Sequence, residues 1–392
     1  MTRTVLMNAG PWLPVPPGGY GGIENVVAAL VPELRRRGIR VLLATVGRST
    51  LPADERLTSF GGGQFEVLQR PYNQVSGVAH AHLHAVVRAL RDRHDIDLVH
   101  DHVEVVGLAV LAAAALAPGA PPVLHTLHWD LRKHADFYSG LDAGPRVRVN
   151  GVSASQLNRA PEALRRHSVG HVHLATPLAV GADRRPPAEK AGHAVVMGRI
   201  TPGKGQHLAA RLAHQCGFDL VLAGPVGPYR QPADLTAAGG AVANPDFRYW
   251  EDEVRPLVDG IRVRWIGTVA GQERNSLVAS ARVALFPLQW EEPGGTAVVE
   301  ALALGTPAVG LSRGCLPELV EHGRTGWLAK SPDDLPALIQ AAGRIDPREC
   351  REQAARRFTP AVMAARYTDL YEQLISGFVP RAAEKAVPDR AG

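Results

Sequence analysis

Residues 193–224 read HAVVMGRITPGKGQHLAARLAHQCGFDLVLAG. The order is an apolar run, a glycine-rich turn bearing Arg199 and Lys204, a helical stretch from Gly205 to Gln215, and a second apolar run. Short continuous apolar runs joined through a helix are the pattern of parallel strands buried on both faces. The unit repeats downstream as VRWIG, a helix after Gln272, ARVALFP, a helix from Thr296 to Leu304, and PAVG. That is one doubly wound domain.

The upstream half shows the same alternation. Thr4 to Asn8 predicts a strand, and Val26, Val27, Leu30, Val31 and Leu34 then fall on one face of a helix that stops before Gly38. IRVLLATVG predicts the next buried strand, and Pro32 predicts a kink in the helix before it. A helix from His80 to Arg93, a strand from Asp97 to His102, a helix from Val105 to Leu116 and strands at Pro122–His128, Val149–Ser153 and Val169–Leu174 follow. The expected fold class is α/β: two Rossmann-like, doubly wound parallel-sheet domains facing an interdomain cleft. The expected boundaries are 1–178 for a first domain, 179–192 for a polar linker and 193–355 for a second domain. A helix over 356–378 returns to the first domain, and a disordered tail covers 379–392.

Composition removes several classes of function. Of the 392 residues 45% are apolar and 21% charged, an ordinary globular balance rather than a disordered one. The longest apolar run, around Val105 to Pro118, falls short of the ~18–20 residues of a membrane span. The N-terminus MTRTVLMNAGPW lacks the apolar core of a signal peptide, so a cytoplasmic location without stable membrane insertion is expected. Cys216, Cys315 and Cys350 are too few and too scattered for a disulfide framework or a C-x2-C zinc site. The net charge is +5, but no run of five basic residues occurs, which argues against nucleic acid as a partner.

Three stretches carry chemistry. Gly18-Gly19-Tyr20-Gly21-Gly22 lies between the first strand and the first helix, in the crevice where open α/β sheets bind ligands. Glu24 stands where a dinucleotide fingerprint needs its third glycine. Gly198 to Gly205 opens like a P-loop but has Gly205 in place of the metal-binding hydroxyl, leaving Arg199 and Lys204 as a diphosphate-sized pair of cations. Glu292-Pro-Gly-Gly295-Thr296-Ala-Val-Val-Glu300 sets two carboxylates eight residues apart around a helix start. Carboxylates suit sugar hydroxyls, and the N–H groups at Gly295 and Thr296 suit phosphate. Sixteen histidines include His80, His82, His84, His100, His102, His125 and His128. No Cys and no H-E-x2-H helix completes a metal site among them, so no metal is expected.

GRITPGKG, VRWIGTVAGQERNSLVASARVALFP and EEPGGTAVVEALALGTPAVGLSRGCLPELVEHGRTGWL resemble the nucleotide-sugar half of family-4 retaining glycosyltransferases of GT-B fold. PPGGYGGIENVVAALVPELRRRGIRV, DLVHDH, HTLHWD and RRFTPAVMAARYTDLYEQLI extend the resemblance over nearly the whole chain, in order. It is closest to the antibiotic-biosynthesis subgroup that includes the avilamycin glycosyltransferase. The resemblance implies that Arg199 and Lys204 hold the donor diphosphate, with Gly21 and Gly22 closing over it from the first domain. Glu292 would take hydroxyls of the transferred sugar, Glu300 the ribose, and Gly295 and Thr296 the N–H contacts. His128 matches the family's active-site histidine, and Tyr20, His102 and Asp130 are candidates on the acceptor side. Arg199, Lys204, Glu292 and His128 are thus the expected catalytic set.

Two departures from the family stand out. Gly294 replaces the aromatic of E-P-F-G, which predicts a roomier or differently shaped sugar pocket, and ATPLAV replaces N-G-[IV]-D at the interdomain corner. The function implied is retaining transfer of a sugar, of hexosyltransferase type, from a nucleotide diphosphate sugar to a small-molecule acceptor in bacterial secondary metabolism. No cofactor and no obligatory metal are expected. A sugar-nucleotide epimerase on the same fold, or an inactive nucleotide-sugar-binding protein, are the alternatives. The base, the sugar, the acceptor and the oligomeric state are not encoded in these motifs.

Overall fold

The computed structural model describes residues 2–19, 21–186, 188–237 and 244–378. Tyr20 and the expected tail over 379–392 lie outside them. Seven parallel strands form the first sheet: β1 (Thr4–Asn8), β2 (Arg40–Thr45), β3 (Glu55–Thr58), β4 (Leu98–Asp101), β5 (Val123–Leu127), β6 (Val147–Gly151) and β7 (Ser168–His171). Their order is β3-β2-β1-β4-β5-β6-β7. Six more form the second: β8 (Ala194–Met197), β9 (Leu220–Ala223), β10 (Val263–Trp265), β11 (Val283–Phe286), β12 (Ala308–Leu311) and β13 (Gly326–Ala329). Their order is β10-β9-β8-β11-β12-β13. Both sheets are covered by helices on both faces, and the architecture is GT-B.

The period-2 rule explains how each strand serves two cores. Val5 and Met7 of β1 face the helices Gly22–Arg36 and Pro360–Phe378, packing with Val27, Leu30, Met363 and Tyr367. Leu6, between them, faces the opposite core with Val86, Leu108 and Leu111. In the second sheet Val196 joins Ala209, Leu212 and Trp250, while its neighbour Val195 joins Val298, Val299 and Leu302.

Strand order reverses between β1 and β4 and again between β8 and β11. These switch points place the loop after β1 beside the loop after β4, and the loop after β8 beside the loop after β11. The Gly21–Gly22, Arg199–Lys204 and Glu292–Gly295 segments lie on the loops after β1, β8 and β11, and His128 lies on the neighbouring loop after β5.

The stretch 179–192, expected as a linker, is bound to the second domain. Ala179 and Ala182 are fully buried. Lys190 donates from Nζ to the carbonyls of Ala279 (2.8 Å) and Gly305 (3.0 Å) and to Thr306 Oγ1 (3.2 Å). Its polar and proline-rich composition concealed these anchors. Where the chain leaves the first domain and where it returns are tied together, the Thr176 N–H donating to the Phe358 carbonyl at 3.0 Å. The expected terminal helix is preceded by a separate one, Pro347–Arg357, broken from it before Pro360.

Candidate active site

The turn after β8 is pressed onto the segment after β11. A Cβ at Gly205, whose φ is +70°, would lie 2.1 Å from the Pro287 carbonyl oxygen, and one at Gly203 would meet the Trp290 ring at 3.1 Å. Glycine is required at 205, and at 203 it leaves the Trp290 ring its place. Gln289 N–H closes the contact on the Gly203 carbonyl at 2.8 Å. Lys204 is thereby delivered to Glu292: Nζ forms an ion pair with Oε2, which also accepts from Trp290 Nε1 at 3.1 Å. Lys204, Glu292, Gly295 and Val298 line one pocket, floored by Met197 and Leu316.

Three helix starts open on these loops. The helix Thr296–Ala303 begins after Gly295, at φ +61°, with no side-chain cap. The helices at Gln206 and Gly22 are likewise led by glycines and lack side-chain caps. First-turn N–H groups without intrahelical partners are ready donors for an anion. Arg199 is exposed on the same turn as Lys204, near Asp246. Gln206, fully buried, holds that turn by donating from Nε2 to the Arg199 carbonyl at 2.8 Å. Nothing in the motif marked it.

Glu300, one turn into its helix, is ion-paired to Arg274 of the helix Gly271–Ser280. Burial raises the Glu300 carboxyl above its ordinary range even though Arg274 opposes the shift. Arg274 was not legible as a site residue, because it lies 26 residues away in sequence.

In the first domain, Gly22 starts its helix with open space where a Cβ would stand, while a Cβ on Gly21 would meet Pro17 at 2.6 Å. Glu24 is buried behind this loop, and desolvation lifts its pKa to about 7. His128 follows β5, part-exposed, with Nε2 2.8 Å from Nδ1 of His102. His102, expected on the acceptor side, is instead fully buried and meets the cleft only through His128. Burial, with His125 nearby, pushes His128 down to about 3, and His102 falls well below its ordinary value for the same reason. The pair is therefore two neutral imidazoles sharing one hydrogen bond.

Further histidines are held by neighbouring side chains around the sheet. His125 Nδ1 lies 2.6 Å from Asp101 Oδ2, and His82 Nε2 lies 2.7 Å from Asn8 Oδ1. His100 bridges Tyr371 of the last helix (2.6 Å) and Thr126 (2.8 Å). Asp130 caps a short turn at the Arg132 N–H (3.1 Å) and pairs with the Arg132 guanidinium. Gln156 was missed by sequence reasoning: buried, it donates to the carbonyls of Leu127 (3.1 Å) and Trp129 (2.8 Å), clamping the loop that bears His128.

The two halves meet along a seam. A Cβ at Gly294 would lie 2.6 Å from Leu174 Cδ1 and 3.3 Å from Val152 Cγ2, both of the first domain. The space expected as extra sugar pocket is thus filled by the other domain. Glu318 of the helix Leu316–Leu319 accepts from the N–H groups of Ala154 (2.9 Å) and Ser155 (2.7 Å), again across the seam.

Residues 20–149 match the model Glycosyltransferase Family 4, and residues 183–356 match Glycosyl transferases group 1. The D-inositol 3-phosphate glycosyltransferase of Saccharomonospora viridis is 27% identical, over 94% of this chain and 92% of that protein. The crystal structure of a glycosyltransferase involved in avilamycin A biosynthesis superposes with a TM-score of 0.64 at 27% identity, covering 96% of this chain and 98% of that one. The Anabaena HepE protein, solved in complex with UDP and glucose, shares the fold with a TM-score of 0.61 at 16% identity, covering 95% of this chain and 100% of that one. The two family matches lie one on each sheet domain and together take in most of the chain, which carries a Glycosyltransferase Family 4 domain followed by a Glycosyl transferases group 1 domain.

Proposed function

We propose that the protein is a retaining hexosyltransferase that moves a sugar from a nucleotide diphosphate sugar to a small-molecule acceptor. The observation that carries this reading is the shared pocket of Lys204, Glu292 and Gly295 at an uncapped helix start. On donor binding the ion pair exchanges partners: the diphosphate takes Lys204, and sugar hydroxyls take Glu292. The bond from the anomeric carbon to the phosphate oxygen breaks, and its electrons pass to the diphosphate. Arg199, Lys204 and the N–H groups at Gly22 and Thr296 receive that charge, the largest usual source of catalysis in such a step. The acceptor oxygen attacks from the same face, and its proton ends on a diphosphate oxygen. His128 is neutral and serves as a hydrogen-bonding wall near the reacting sugar. Glu300 receives the ribose, with Arg274 holding its carboxylate in place.

In this reading no metal or other cofactor is obligatory, because the cations and helix starts carry the charge, and the reaction runs in the cytoplasm. A small acceptor is supported by the name of the inositol phosphate relative, and a role in secondary metabolism by the avilamycin neighbour. The test is a thermal-shift series with UDP, GDP and dTDP, followed by determination of the product anomer by NMR. A nucleotide at 100 times its Kd adds about 2.7 kcal/mol of stability. One nucleoside diphosphate is expected to raise Tm clearly above the others. No shift with any of the three, or an inverted product, would overturn the reading.

A further inference from the structure

Across the seam, away from the Lys204–Glu292 pocket, two histidines of the first domain converge on a carboxylate of the second. His171 ends β7, the edge strand of its sheet. The ladder continues one residue further, Val172 N–H donating to the Gly151 carbonyl at 3.0 Å. Extended backbone through Val172 puts His171 and His173 on the same side. Both rings point at Glu318: His173 Nε2 is 3.0 Å and His171 Nε2 3.8 Å from Oε2. The two imidazoles stand edge to face, 4.8 Å between centroids.

A hydrogen bond to His173 accounts for only part of this arrangement. Glu318 already accepts two backbone N–H groups, at Ala154 and Ser155. His171, at 3.8 Å, adds no hydrogen bond to it. What remains is two imidazole nitrogens and a carboxylate oxygen, all within 4.8 Å of one another, the one such group of three among the described residues. Two His and one Glu form a donor set suited to zinc-class ions, whereas magnesium and calcium favour oxygen ligands. The backbone donors on Glu318 are the kind of outer contact that orients a ligating carboxylate. The partial exposure of His171 leaves room for water at a fourth position.

We propose that His171, His173 and Glu318 form an interdomain site for a divalent transition-metal ion of the zinc class, which staples the two domains at their seam. The staple reaches the sugar pocket through the chain itself. Glu318 follows Gly314 and Cys315, whose N–H groups hold the Glu291 carboxylate (2.5 Å) and the Glu292 carbonyl (2.8 Å). A bound ion therefore restrains the wall that carries Glu292 against the first domain.

The experiment uses the full chain after chelator treatment, titrated with Zn2+ by calorimetry and with Co2+ by visible absorption, alongside Tm measurements with Zn2+ or Mg2+. Wild type is expected to bind one Zn2+ per chain, to give the intense visible bands of four-coordinate Co2+, and to gain Tm with Zn2+ but not with Mg2+. His171→Ala, at a part-exposed side chain, should fold normally and bind at least tenfold more weakly; His173→Ala should behave alike, checked by circular dichroism. His80→Ala, an exposed histidine on another helix, should leave binding unchanged. Absence of a Zn2+ effect on wild type, or equal affinity in wild type and His171→Ala, would overturn the site.

Discussion

Gly294 of the second domain packs directly against Leu174 of the first, so closely that a Cβ at 294 would stand 2.6 Å from Leu174 Cδ1. The glycine that departs from the family's aromatic is one of the points at which the domains touch, and its small size is a condition of that contact. Overpacking a tight contact costs about 1–3 kcal/mol. Gly294→Ala should lose stability toward the low end of this range, since the leucine tip can shift, and Gly294→Phe toward the high end. In a Leu174→Ala background the cost of Gly294→Ala should largely vanish. Denaturant unfolding of the four proteins of that double-mutant cycle measures the coupling. Additive losses would mean that the two residues do not share the seam contact.

His102 and His128 give a second prediction, on pH. Desolvation of its part-buried ring, with His125 nearby, holds His128 at about 3. Wild-type turnover should therefore show no acid limb from this residue between pH 5 and 8. His102→Ala removes the partner at 2.8 Å and opens space for water beside the ring. The His128 pKa should then climb toward the ordinary value of about 6.5. Turnover in the variant should fall as pH drops through that value, with donor KM changed much less than kcat. A pH–rate profile of both proteins decides, and a flat profile in the variant would deny His102 a positioning role.

Lys204 and Glu292 predict opposite kinetic signatures. Lys204→Ala should weaken binding of the nucleoside diphosphate by roughly 1.5–3 kcal/mol, the worth of a charged hydrogen bond. Glu292→Gln should leave free nucleotide binding nearly intact and cut transfer, because in the proposed reading its partners are sugar hydroxyls. Calorimetry with nucleoside diphosphate, paired with initial rates, separates them. Equal losses of nucleotide affinity in both variants would sink this division.

Glu24 predicts a stability slope. Its folded pKa is about 7, raised by burial from an ordinary 4.5. Between these values the native chain binds a proton that the unfolded chain has released, so this contribution is full below pH 4.5 and lost as pH rises through 7. Relative to Glu24→Gln, wild type should lose up to about 3 kcal/mol across that window. Parallel unfolding curves for the two proteins at each pH would show that Glu24 is not the titrating group.

The folding pattern was legible wherever a strand is buried on both faces. VVM, LVL and VALF are continuous apolar runs, and the structure makes strands of them. The strand β3, ERLT, escaped notice because it is an edge strand with alternate residues exposed. The strand β13 escaped because its GWLA run is too short to separate from a turn. Motif residues announced the loops of the candidate site, since glycines and cations at a strand–helix turn have a direct physical reason. Arg274, Gln206, Gln156 and Glu318 did not, because each acts on a partner that only the tertiary fold brings near. Glu318 reaches Ala154 across 164 residues, a relation with no local signal.

The last prediction concerns closure over the donor. The helix start at Gly22 and the turn of Arg199 and Lys204 belong to different domains, and neither surrounds an anion alone. If the diphosphate lies between them, the backbone at Gly22 must approach phosphate closely, and bulk there should be harmful without being destabilising. The structure separates the two neighbouring glycines on this point. A Cβ at Gly22 meets nothing within 4 Å, whereas one at Gly21 meets Pro17 at 2.6 Å. Gly22→Val should therefore fold normally, with only the small cost of a β-branched residue at a helix start, and yet lose diphosphate affinity and turnover by tenfold or more. Gly21→Val should lose stability as well, because Pro17 has to move. Small-angle scattering with and without nucleoside diphosphate should show compaction of the wild type that is absent in Gly22→Val. The hinge for that motion is confined by the seam: Thr176 and Phe358 are hydrogen-bonded at the two crossings, so rotation pivots there rather than in the anchored 179–192 stretch. Normal turnover in a correctly folded Gly22→Val protein would remove the first-domain loop from the donor site, whatever the scattering shows.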